Sequence, residues 1–254
     1  MDRNLKEIWK AEEEAAHIHG WDFSHLEGRY TEETDLPWDF RAVIGEYLRP
    51  DHRLLDMDTG GGEFLLSLGH PHALTSATEG YPPNAALCRE TLSPLGIDFH
   101  EADCLEPLPF ADASFDLVTN RHGSFVPEEL FRVLRPGGVF LTQQVGDQND
   151  RELTELLLPG TPPPFPGMNL GEQRLRFQKA GFSILQGEEA FRPIRFFDVG
   201  ALVWFARVIP WEFPGFSVER CLPRLEKAQS LLEREGCLKG TIHRYLIAAR
   251  KPLP

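Results

Sequence analysis

The run LLDMDTGGGEFLLSL, from Leu54 to Leu68, constrains what this chain can fold into more than any other stretch. An apolar strand closes near Asp56, a dense glycine turn lets backbone approach a ligand where a side chain would collide, and EFLLSL opens a helix. The first N–H groups of a helix lack partners within it, so such a junction suits a carboxylate or phosphate. The same alternation recurs downstream. ALTSATE from Ala73, IDFHEAD from Ile97, FDLVTN from Phe115 and GGVFLTQQV from Gly137 are strand candidates, with helical stretches between most of them. Parallel neighbours cannot be joined by tight turns, so the rhythm predicts an α/β fold with a doubly wound, mostly parallel sheet.

With 254 residues, 41% of them hydrophobic, the chain suits one α/β domain with elaborations. The expected parts are a helical cover over 1–50, a cofactor-binding core over 51–150 and a C-terminal part over 151–254. In the first, helical spacing covers Arg3 to His17 and Trp38 to Leu48, flanking an irregular aromatic and charged segment. In the last, a Pro-rich loop from Leu157 leads to a helix near Leu170 to Ala180, then a strand, FSILQGEEAF. The apolar DVGALVWFARVI follows as a helical insertion, read as a buried helix, a pocket wall or a dimer interface. An amphipathic helix from Ser217 to Arg234 precedes the final strand, Thr241 to Arg250, which brings the expected sheet to seven.

The balance of 26 Lys+Arg against 39 Asp+Glu gives a net charge of −13. With no basic run to gather on one face, nucleic acid is disfavoured as a partner. Cys88, Cys104, Cys221 and Cys237 form no C-x-x-C pair, and the N-terminus lacks a secretory pattern, so a reducing cytoplasm is the expected compartment. The apolar stretch from Val199 to Ile209 is too short to span a membrane. No His, Cys and carboxylate cluster has zinc spacing, so no metal is expected.

Two further acids close strands in series with Asp56. Glu79 ends the second candidate 23 residues later, near the spacing at which an acid grips a ribose diol in nucleoside-binding α/β folds. Asp103 ends the third, where a carboxylate can accept an exocyclic amine, with Cys104 and Leu105 offering backbone donors and an apolar wall.

On LLDMDTGGG, the acid of ATEGY, EADCLEPLPFADASFDLV and VLRPGGVFL, the chain resembles the class I S-adenosylmethionine-dependent methyltransferases. The likeness is greatest to the branch that includes ubiquinone and menaquinone biosynthesis methyltransferases and many small-molecule enzymes. It covers Leu54 to Val145 by motif. The resemblance implies a Rossmann-like fold, S-adenosyl-L-methionine as cofactor and S-adenosyl-L-homocysteine as product. It implies that Asp56, Gly60 and Gly62 shape the site around the methionine moiety, with Asp58, Thr59 and Gly61 of the same turn as further cofactor-binding candidates. It further implies that Glu79 binds the ribose hydroxyls, with Gly80 next to it as a cofactor-binding candidate, that Asp103 with Cys104 flanks the adenine, Leu105 beside them, and that Asn120 or Arg121 lies beside the cofactor. The family usually has Gly where this chain has Asp58, and Asp tolerates a left-handed backbone better than most residues.

TNRHGSF from Thr119 stands where nucleic-acid amino methyltransferases of the family carry an Asn/Asp-Pro-Pro-aromatic element. His122, after the fourth strand, is the candidate base for a hydroxyl or protonated amine, with loop or core packing as the other reading. Tyr30, Trp38, Gln143 and Gln144 are candidate substrate contacts, with His17, His19, Trp21 and Arg29 as further N-terminal candidates. The partner expected is a small-molecule methyl acceptor, and the assembly a monomer or homodimer. An RNA methyltransferase, a cofactor-binding protein without turnover and an NAD-type oxidoreductase are the alternatives. Against the last, a fingerprint begun at Gly60 would place its third glycine at Leu65.

Overall fold

The computed structural model describes residues 3–17, 22–32 and 35–254, so the candidates His19 and Trp21 lie outside the described residues. The elements run α1 (Arg3–Ala15), β1 (Tyr30–Glu32), α2 (Phe40–Tyr47), β2 (Leu54–Met57), α3 (Glu63–Ser67), β3 (Thr75–Glu79), α4 (Pro82–Thr91) and β4 (Asp98–Glu101). There follow β5 (Phe115–Arg121), α5 (Pro127–Val133), β6 (Leu134–Val145), α6 (Arg151–Leu157), α7 (Leu170–Lys179), β7 (Ser183–Phe196), α8 (Val199–Val208), α9 (Val218–Glu235) and β8 (Leu238–Arg250). Their contacts gather into two compact units, each woven from three stretches: 37–145, 167–189 and 244–254 in one, 1–36, 146–166 and 190–243 in the other.

In the first unit the strand order is β8-β6-β5-β2-β3-β4. β2 pairs in parallel with both β3 and β5, β3 with β4, and β5 with β6, while β8 runs antiparallel to β6. The reversed final strand is thus where the sequence put it. From β2 the chain proceeds outward through β3 and β4, then returns to the other side of β2 as β5. That reversal of strand order falls between β2 and β5, whose carboxyl ends are the usual ligand position in an open α/β sheet. β2 and β3 are buried along their whole length, so neither alternates: β2 is mostly apolar, whereas β3, TSATE, fills its buried positions largely with small hydroxyl residues.

The core of this unit is aromatic. Phe125, Phe140 and Phe177 lie 5.2–5.6 Å apart by ring centroids, and Phe182 meets Phe177 edge-on at 5.5 Å. Two side-chain caps fix helix starts. Asp39 accepts from the N–H groups of Arg41 and Ala42 at the head of α2, and Asn169 from that of Glu172 at the head of α7.

The second unit is built around α8, whose residues are buried except Arg207. The apolar stretch from Val199 therefore forms that unit's core, with Trp204, Phe205, Phe213 and Phe216 among Leu26, Phe196 and Leu225. Asp198 caps α8 through the Ala201 N–H at 2.7 Å and also takes two guanidinium bonds from Arg29, at 2.7 and 2.9 Å. Glu12 of α1 holds the same guanidinium at 2.7 Å.

One expectation is corrected. The strands number eight among the described residues, because Tyr30–Glu32 pairs antiparallel with Phe196, Arg195 and Ile194 of β7. Three residues are too few to show an alternation, so this edge strand was invisible inside a segment read as irregular. β7 also outruns its predicted end at Phe191, continuing through Pro193 to Phe196.

Phe140 is fully buried and Leu175 is 66% exposed. Phe140→Ala is expected to cost about 3–5 kcal/mol of stability in denaturant melts, and Leu175→Ala to stay within about 0.5 kcal/mol.

Candidate active site

The turn after β2 holds three left-handed residues in five positions: Asp58 (φ 52°), Gly60 (φ 64°) and Gly62 (φ 85°). Neighbouring strands pin it in place. Thr59 N–H donates to the Thr78 carbonyl at 3.0 Å, and Gly60 N–H to Glu79 Oε2 at 2.8 Å. The other Glu79 oxygen accepts the Tyr81 N–H at 2.8 Å, so this buried carboxylate spans the β2 and β3 ends. Cys88 of α4 donates its thiol to the Gly60 carbonyl at 3.0 Å. Burial, with the nearby Glu79, Glu63 and Asp56 charges, pushes that thiol up to about 11, so it remains a donor.

Asp56 lies opposite Thr119 in the β2/β5 register and is 5% exposed. Thr119 and Thr59 donate their hydroxyls to its two oxygens at 2.6 and 2.7 Å. Burial outweighs these bonds and raises the carboxyl to about 6, helped by the Asp58 charge. Asp58 accepts the Cys104 thiol at 3.1 Å and the Ser124 N–H at 2.9 Å. Its carboxyl is raised, first by burial and then by the facing Glu79, and the Cys104 bond offsets part of the rise. Burial beside Asp58 pushes the Cys104 thiol up as well. A Cβ at Gly123 would strike the Asp58 side chain, which explains a glycine directly after His122.

Asp103 is exposed and caps its own turn through the Leu105 N–H at 2.9 Å. Leu105 and Tyr81 are 60% and 62% exposed at the ends of the paired strands β4 and β3. Two open side chains, Tyr81 and Leu105, thus stand at these strand ends with the exposed Asp103 and the buried Glu79, and a Cβ built on Gly60 meets nothing within 4 Å.

Asn120 is fully buried, donates to the Met57 carbonyl at 3.2 Å and accepts from Gln144 at 2.6 Å. Gln144 is committed to the same network, giving further bonds to Thr142 and the Gly123 carbonyl. Both amides tie strand ends together. Arg121 is exposed, with its guanidinium 5.2 Å from the Phe64 ring centroid. Trp38 donates its indole N–H to Gln143 at 2.8 Å, and Gln143 meets His122 at 3.2 Å. His122 has a left-handed backbone, φ 62°, and its backbone N–H donates to the Gln143 carbonyl at 2.9 Å. The residue offers surface to solvent, yet protein surrounds it closely enough that desolvation, with Arg244 and Arg121, pushes the imidazolium down to about 3. Tyr30 lies in β1 of the other unit, stacked on Phe196 at 5.8 Å.

The site thus joins Asp56, Asp58, Thr59, Gly60, Gly61, Gly62, Glu79, Gly80, Asp103, Cys104 and Leu105 around the β2, β3 and β4 ends, with Arg121 and His122 at the β5 end. Sequence reasoning missed Tyr81, Cys88 and Ser124. Tyr81 had a signal in its place two residues after Glu79; the Ser124 contribution is a backbone N–H, which no side chain announces. Among the described residues no group of His, Cys, Asp and Glu is arranged to hold a metal, and no helix is long and apolar enough to cross a membrane.

Asp56 makes stability depend on pH with a definite sign. Its folded value, about 6, lies above the unfolded carboxyl's, so the folded state binds the proton more tightly. Stability from this group is full below about pH 4 and is lost as pH rises towards 6, by on the order of 3 kcal/mol. Asp56→Asn is expected to remove that slope and to melt higher than wild type at pH 7, measured by thermal unfolding from pH 4 to 7.

Residues 55–142 match the family model described as a methyltransferase domain. A demethylmenaquinone methyltransferase of Thermus thermophilus is 38% identical over 115 residues, 41% of this chain and 52% of that one. A phthiotriol/phenolphthiotriol dimycocerosates methyltransferase of Mycobacterium tuberculosis is 36% identical over 113 residues, 41% of this chain and 40% of that one. The match thus spans about half or less of these relatives. A solved Bacillus halodurans protein, provisionally named a methyltransferase, superposes with a TM-score of 0.59 at 16% identity, over 84% of this chain and 99% of its own, and so shares the fold. Domain match, partial relatives and fold point the same way: residues 55–142 are similar to the methyltransferase-domain family, on a fold shared with a solved protein of that provisional name.

Proposed function

We propose that the chain binds S-adenosyl-L-methionine over the carboxyl ends of β2, β3 and β4 and transfers its methyl group to a small-molecule acceptor at the end of β5. The observation that carries this reading is the set of four carboxylates, Asp56, Asp58, Glu79 and Asp103, at consecutive strand ends around one glycine turn. Such a site suits a cationic nucleoside and repels a pyrophosphate, which separates it from dinucleotide oxidoreductases built on similar turns. α3 has only five residues, too short to offer a strong helix-terminal anion site in compensation.

Bound there, the cofactor supplies an electrophilic methyl carbon on a positively charged sulfur. The chain's own residues do the rest. Glu79, already oriented by Gly60 and Tyr81, retains lone pairs for the ribose hydroxyls. Tyr81 and Leu105 offer apolar faces for the adenine, with Asp103 beside them for its amine. Asp56 and Asp58 keep the turn in the shape that admits the methionine portion. Methyl transfer then rests mainly on proximity and alignment of the acceptor. A net charge of −13 argues for a small acceptor rather than RNA. Four unpaired cysteines accord with action in the cytoplasm.

Calorimetric titration should show binding of S-adenosylmethionine and S-adenosylhomocysteine and none of NAD. Glu79→Ala is expected to weaken cofactor binding by roughly five- to hundredfold, about 1–3 kcal/mol. Labelled cofactor incubated with fractionated cell extract, and with reduced demethylmenaquinone as a first defined probe, should yield a labelled small molecule. Binding of NAD in place of S-adenosylmethionine would overturn the reading.

A further inference from the structure

Trp38, Gln143 and His122 form a hydrogen-bonded chain whose polarity is set at one end. The indole Nε1 has a proton and no lone pair to offer, so at 2.8 Å it must donate to Gln143 Oε1. That contact decides which end of the amide is oxygen. The Gln143 Nε2, carrying only protons, then faces His122 Nε2 at 3.2 Å. The imidazole Nε2 is therefore the acceptor, and the ring's proton resides on Nδ1. Trp38 and Gln143 are each 8% exposed, so water has little access with which to replace either partner. His122 is anchored besides by its backbone bond to the Gln143 carbonyl, and the charged groups facing its ring, Arg121 and Arg244, are both cationic. Among the described residues Nδ1 has no hydrogen-bond partner and is the ring's uncommitted polar atom.

We propose that Trp38 and Gln143 are positioning residues that lock His122 as the neutral Nδ1–H imidazole, so that it meets the methyl acceptor as a hydrogen-bond donor and not as a base. For its consequence, though not for its test, this rests on the methyl-transfer reading above. The acceptor class that follows carries a lone-pair oxygen or nitrogen beside the attacking atom and needs no deprotonation by the protein: an enolate, a phenolate, a thiolate or an unprotonated amine. Its electron pair forms the new bond to the methyl carbon, the carbon–sulfur pair returns to sulfur, and any proton shed by the acceptor passes to water. His122 keeps its proton throughout.

The test is the ring ¹⁵N spectrum of the full chain labelled at histidine, without cofactor or acceptor, with the His122 signals assigned by their loss in His122→Asn. Wild type should show an unprotonated Nε2, a protonated Nδ1 and no titration between pH 5 and 8. Gln143→Glu places an acceptor where the amide donor stood, and is expected to move the proton to Nε2 and raise the titration midpoint by roughly two units. Trp38→Phe frees the amide to turn, and should give a mixture of tautomers. A protonated Nε2 in wild type, or a midpoint unmoved in Gln143→Glu, would overturn the proposal. Because the readout involves no cofactor, its failure is distinct from failure to bind S-adenosylmethionine.

Discussion

The turn after β2 is the constraint on which the site depends. Left-handed backbone at Asp58, Gly60 and Gly62 has to be held by something, since a non-glycine residue there costs on the order of 1 kcal/mol or more. The holding groups come from elsewhere in the sheet: the Thr78 carbonyl and Glu79 from β3, the Cys88 thiol from α4, and the Ser124 N–H from beyond β5. The turn is thus shaped by the register of three strands together. It cannot form as a local motif, and it is complete only when β3 and β5 are both seated on β2.

That design concentrates negative charge. Asp56 and Asp58 each have a raised carboxyl, first because of burial and then because of a neighbouring acid. In the absence of a cation the cluster opposes folding at neutral pH, and the hydroxyls of Thr59 and Thr119 offset only part of that cost for Asp56. A positively charged ligand relieves the same repulsion on binding. Destabilisation of the empty site and the cationic ligand proposed for it are thus linked, the usual exchange between stability and function. Asp58 deepens it, since a glycine there would supply the backbone angle without the charge.

How much of this could be read in the sequence follows from what each contact is made of. β2 was legible because full burial writes itself as an apolar run, β3 and β5 from their place in the alternation of strands and helices, and the glycine turn because few residues adopt its angles. The three serial acids were legible because strand ends fix their spacing. β1 was not, since Tyr30–Glu32 is held by pairing with β7 and carries no pattern of its own. Asn120 and Gln144 looked like ligand contacts by position, whereas each is drawn into a buried amide network with Thr142. A polar residue at a strand end can face the ligand or brace the neighbouring strand, and sequence position is the same for both. The apolar stretch from Val199 showed its burial but not what it would be buried against.

The Trp38–Gln143–His122 chain lies further beyond sequence reading, because its meaning is carried by proton direction. The histidine invites a base assignment from its place after β5 alone. Trp38 and Gln143 are 105 residues apart, and neither has a spacing that links it to His122. Once they touch, the donor-only indole propagates a fixed sense through an amide, which has one end of each kind, to an imidazole, which can adopt either. A glutamate at position 143 would reverse the last link and favour imidazolium. The choice of amide over acid at one buried position therefore determines whether the His122 Nε2 accepts a hydrogen bond or carries a proton. Methyl transfer from a sulfonium tolerates the first arrangement, because alignment, and not proton removal, is what the reaction asks of the protein when the acceptor already bears a free electron pair.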